Sequence, residues 1–71
     1  MILKDTLVEQ LNRYGEIVVR NNSGFDFLIE RLDGHIRVRA PRAYEYKVVS
    51  LDTTLADVVR MANSWTPGAW Q

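Results

Sequence analysis

Cysteine is missing from this chain altogether, and histidine occurs once, as His35. No disulfide can staple the fold, and a His/Cys zinc cluster cannot be assembled. An excess of either charge is also missing: nine basic side chains balance nine acidic ones. There is thus no net charge to draw the chain to nucleic acid or to an acidic membrane surface. No apolar run approaches the length of about 20 residues that crosses a bilayer. The start, Met1-Ile2-Leu3-Lys4-Asp5, lacks the basic region and apolar core of a secretion signal. A cytoplasmic location is the expectation. With no secretion signal, Asn21-Asn22-Ser23 reads as a turn rather than a glycosylation site.

Catalytic groupings are equally scarce. Ser50, His35 and Asp33 supply the residue types of a nucleophile triad, but nothing in their order brings them together. Asp26 and Glu30 share a strand face at a spacing of about 13 Å, too far for paired acid–base carboxylates. The four glycines fall singly, so no phosphate-cradling loop is present. No acidic cluster has the spacing of a calcium loop. The expectation is a protein without catalytic residues, cofactor or metal.

What remains is a pattern of short amphipathic elements in 71 residues, enough for one domain spanning 1–71. A domain of this size is marginal in its burial, and a partner subunit is one remedy. Thr6 and Glu9 have the spacing of a capping box. Leu3, Leu7, Leu11 and Tyr14 then recur on one helical face, and Gly15 ends the helix. Ile17, Val18 and Val19 are β-branched and predict a strand over Glu16–Arg20. Asn21-Asn22-Ser23-Gly24 is a turn by composition. A strand over Phe25–Leu32 turns Phe25, Phe27 and Ile29 inward and Asp26, Leu28 and Glu30 outward. Asp33-Gly34 predicts a two-residue type I′ turn, returning into a strand over His35–Ala40. That turn sets Leu32 against His35, Glu30 against Arg37, and Ile29 against Val38. A slip of one residue would separate the apolar faces.

Pro41 closes the third strand. Tyr44–Ser50 predicts a fourth, with Tyr44, Tyr46 and Val48 on one face, directed to the core. Asp52, Thr53 and Thr54 offer caps for a last helix whose apolar stripe is Leu55, Val58, Val59, Ala62 and Trp65. Thr66-Pro67-Gly68 stops it. The fold expected is an α+β two-layer sandwich: a four-stranded, or three-stranded, antiparallel meander with a helix at each end.

Three features point toward binding. From Arg31 to Lys47 the bases Arg31, Arg37, Arg39, Arg42 and Lys47 outnumber the acids Asp33 and Glu45. Leu28 and Leu32 share the outer face with His35, Arg37 and Arg39. Trp70 lies beyond the Pro-Gly break, and two placements stay open for it: exposed as an interface anchor, or folded back over the core. The leading expectation is a small module that binds another protein or a second copy of itself. Its surface would be Leu28, Arg37 and Arg39, with Arg42 and Trp70 at the margins. The alternative is a nucleic-acid binder using Arg31, Arg37, Arg39, Arg42 and Lys47. Short chains without motifs are commonly accessory proteins of bacteria or their phages, and that origin completes the expectation.

Overall fold

The computed structural model describes residues 6–42 and 44–70. Helix α1 spans Leu7–Tyr14 and helix α2 spans Leu55–Ser64; between them run β1 (Glu16–Arg20), β2 (Asp26–Leu32), β3 (His35–Arg39) and β4 (Tyr46–Val49). The strands form one antiparallel sheet in the order β1-β2-β3-β4. This is the α+β meander with flanking helices that the sequence predicts, with four strands.

Both helices begin with a full capping box. The Thr6 hydroxyl accepts from the Glu9 N–H at 3.2 Å while the Glu9 carboxylate accepts from the Thr6 N–H at 3.0 Å. Thr54 and Asp57 repeat the exchange at the head of α2. The two capping residues also meet in an isolated β-bridge, so one junction fixes both helix starts. Thr6→Ala and Thr54→Ala are each expected to cost about 1 kcal/mol, measured by urea unfolding.

The β2–β3 register is the expected one, with Leu32 opposite His35, Glu30 opposite Arg37 and Ile29 opposite Val38. The turn that sets it differs. Gly34 has φ of 77°, but Asp33 is not among the positive-φ residues. A type I′ turn needs positive φ at both central positions, so this one is of another class. Its length, rather than its class, preserves the register.

The core gathers Leu7 and Leu11 of α1, Val19, Phe27, Ile29, Ile36 and Val38 of the sheet, Val58 and Ala62 of α2, and Ala40, Trp65 and Trp70. Phe27 is its hub. Its ring centroid lies 5.4 Å from Trp65, edge-on, and 5.4 Å from Trp70. Trp65 caps the end of α2 with extended backbone, because a residue one before Thr66-Pro67 is close to the point where helix becomes untenable.

Three expected placements are overturned. Tyr14 is exposed rather than part of the buried face of α1; Leu3 of that face lies outside the described residues. Val59 is also exposed, leaving Val58, Ala62 and, just past the helix, Trp65 as the buried part of the expected stripe. The largest change is in β4 and the two residues before it. Tyr44, Tyr46 and Val48 are 59%, 49% and 55% exposed, and Glu45 between them is fully buried. The cause is the preceding turn. The Ala40 N–H donates to the Glu45 carbonyl at 2.9 Å, so the two residues face each other across the sheet. Ala40 points to the core, and opposed residues share a face. Glu45, Lys47 and Val49 therefore take the inner side, and Tyr46 and Val48 the outer.

Candidate functional site

The two sides of the sheet have opposite fates. Both helices, Trp65 and Trp70 cover the inner side. No described element packs on the outer side, which carries Glu16, Val18, Leu28, Glu30, Arg37, Arg39, Tyr46 and Val48. The register aligns these residues in rows. Val18, Leu28, Arg39 and Tyr46 run across all four strands, and Glu16, Glu30, Arg37 and Val48 run beside them. Val18 is 60% exposed and Leu28 is half-buried.

Charge on this face is concentrated at its centre. The Arg37 guanidinium donates to Glu30 Oε1 through Nη2 at 2.8 Å and Nε at 3.1 Å. Arg39 Nη1 reaches the other oxygen of Glu30 at 3.9 Å. Two cations thus share one carboxylate. The Arg37 guanidinium also sits 5.7 Å from the Tyr46 ring centroid. Such contacts hold an arginine side chain in place, at little energetic gain where exposed.

The five basic residues of the Arg31–Lys47 segment do not form one surface. Arg37 and Arg39 lie on the outer face. Arg31 donates to Asn12 of α1 at 2.8 Å, on the helix side. Lys47 has inner parity, and its Nζ stands 5.9 Å over the ring of Trp70. Arg42, in the β3–β4 turn, pairs with Glu45 at 3.4 Å and stacks on Tyr44 at 5.0 Å. Trp70 is also removed from the expected outer surface. It is 8% exposed and packs on Phe27 from the inner side. Of its two open placements, folding back over the core is the one found.

Glu45, which carries no functional signal in the sequence, fixes that tail. Its carboxylate accepts from Trp65 Nε1 at 3.0 Å, from the Gly68 N–H at 3.1 and 3.0 Å, and from the Trp70 N–H at 3.4 Å. Burial opposes its ionisation. The donors from Gly68, Trp65 and Trp70 and the charge of Arg42 outweigh that penalty and hold the carboxyl below its ordinary range. A residue flanked by two tyrosines, just ahead of β4, carries no sequence signal of donors twenty or more positions later.

The remaining candidates are accounted for separately. Ser50 bonds to Asp52 and Thr53 through its hydroxyl, and no hydrogen bond joins it to His35 among the described residues. Asp26 is bound to Arg20 at 2.8 Å and Glu30 to the arginines. Arg31, Leu32, Asp33 and Gly34 line an open depression at the β2–β3 turn. Among the described residues, no group of three or more His, Cys, Asp or Glu is placed to hold a metal ion. No described helix is long and apolar enough to cross a membrane. The chain matches no known family, curated protein or solved structure.

Proposed function

We propose that this chain is a small non-catalytic interaction module that binds another protein through the open face of its sheet. The observation that supports it is the one-sidedness of the fold. Both helices and both tryptophans crowd the inner face, while Val18, Tyr46 and Val48 stand exposed beside Leu28 on the outer one. Scattered exposed apolar side chains are ordinary; here they gather on one uncovered face, with Arg39 between Leu28 and Tyr46 in the same row, and such a mixed apolar and arginine face is a feature of interaction surfaces. The partner that fits has an apolar patch for Val18, Leu28, Tyr46 and Val48. It also carries a carboxylate for Arg39, the less tightly held of the two arginines. Arginine and tyrosine are the residue types that most often anchor such contacts.

The test is capture of the partner from the protein's own source, after nuclease treatment, by wild type and by Arg37→Glu/Arg39→Glu. The double variant is expected to lose the partner while keeping its far-ultraviolet spectrum. Val48→Asp, which leaves the Glu30 pairs intact, is expected to do the same. Retention of the partner by both variants overturns this surface.

The stacks of Arg37 on Tyr46 and Arg42 on Tyr44 favour one second reading, single-stranded nucleic acid held by Arg37, Arg39 and Arg42. It requires affinity that falls steeply with salt. Arg31 and Lys47 no longer belong to it, since they lie on the helix side. That leaves fewer cations than the sequence suggests, and one of them answers the buried Glu45.

A further inference from the structure

We infer that a second copy of this chain docks on the free edge of β1, joining the two four-stranded sheets into one. β1 is an edge strand, with β2 on one side only. The Asn21 N–H donates to the Phe25 carbonyl of the β1–β2 turn at 2.9 Å. Backbone groups alternate along an antiparallel ladder, so Ile17 and Val19 also turn theirs toward β2. Glu16, Val18 and Arg20 turn theirs away. Among the described residues no strand receives them.

The sequence of this edge, Glu16-Ile17-Val18-Val19-Arg20, is complementary to itself when read in reverse. A two-fold axis through Val18, normal to the sheet, sets Val18 against Val18 of the second copy. Glu16 then opposes Arg20 of that copy at both ends, and Ile17 opposes Val19. The residues placed opposite each other are those with outward amides, giving about six backbone hydrogen bonds. Shifting the axis to Ile17 or Val19 sets a charged residue against Val18 and forfeits both ion pairs.

The charges of the single chain are left in want of this arrangement. Glu16 lies directly opposite Glu30 on the same face, a destabilising like-charge pair. Glu30 is answered by Arg37 and Arg39; among the described residues no base pairs with Glu16. Arg20 holds Asp26 at 2.8 Å and remains largely exposed. In the dimer each Arg20 lies between Asp26 of its own chain and Glu16 of the other. The edge also lacks the inward charge or proline that commonly protects exposed strands. The β4 edge offers no comparable match, since pairing about Val48 joins Tyr46 to Ser50 and Lys47 to Val49.

Pairing over five residues buries less than a standard interface, so self-association is expected at micromolar concentration and above. It does not depend on the outer-face reading, because it uses the sheet edge. The test is sedimentation of wild type, Glu16→Arg, Arg20→Glu and an equimolar mixture of the two variants. Wild type is expected to dimerise, and each variant alone to associate about tenfold or more weakly. The mixture is expected to recover a dimer, because the two introduced charges complement each other across the axis. Val18→Lys, at a 60% exposed position, is expected to stay monomeric with an unchanged far-ultraviolet spectrum. A monomeric wild type at millimolar concentration overturns the inference. So do single variants that associate like wild type, or a mixture that stays monomeric.

Discussion

Replacing Glu45 with Ala is expected to release the C-terminal segment and lower the melting temperature by roughly 10 °C or more. The reason is the number of donors that one carboxylate serves. Trp65 Nε1, the Gly68 N–H and the Trp70 N–H all end on it, and two of these lie in buried residues. A buried donor deprived of its acceptor loses the hydrogen bond without regaining one to water. Trp70 then has no anchor on Phe27, and tryptophan emission is expected to shift to the red. An unchanged emission maximum would mean that packing alone holds the tail.

The same carboxylate gives the fold a pH dependence of known sign. Its ionisation is favoured in the folded state, so it adds stability above the ordinary carboxylate range. That contribution is lost as pH falls through the lowered folded value. Asp57 is also lowered, first by the Thr54 N–H and then by its hydroxyl, and Asp26 by its hydrogen bond from Arg20. All three act in one direction, toward acid unfolding. Glu45→Gln is expected to be less stable than wild type at neutral pH, with the gap closing in acid. A constant gap across that range would show that the ionised form is not what the tail requires.

The second large effect is expected at Phe27. It is fully buried and contacts both tryptophans. Phe27→Ala is expected to cost about 3–5 kcal/mol. At roughly 0.05–0.15 kcal/mol per residue, a chain of 71 residues has about 4–10 kcal/mol in total. The loss is of the same order as the whole, so the variant should melt well below wild type, as measured by circular dichroism. Val59→Ala, on the exposed side of α2, should change stability little.

The elements that could be read from the chain are those set by neighbours in sequence. Thr6 with Glu9 foretells the first capping box, and Asp33-Gly34 foretells a two-residue turn with its full register. That register brings Glu30 to Arg37 without further information. For β4 the sequence pattern predicts the wrong inward face, because hydropathy alone favours burying Tyr44, Tyr46 and Val48. The length of the turn between Ala40 and Glu45 fixes the parity instead, and no residue in it announces that length. The donors to Glu45 come from the far end of the chain, so its burial has no local signature. The placement of Trp70 has no local signature for the same reason. The conflict between pattern and placement is informative: an acid is buried and three apolar side chains are exposed where the simple rule demands the reverse. Such departures concentrate at surfaces with a task other than stability.

The open face of the sheet is tested most directly by photo-crosslinking. A photoreactive amino acid is placed at Val48, on the outer face, and in a second protein at Ala56, exposed on α2. Both proteins are irradiated with the captured partner. An adduct from position 48 and none from position 56 is the expected result. An adduct from position 56 alone would place the partner on the helix side and contradict the assignment of the open face.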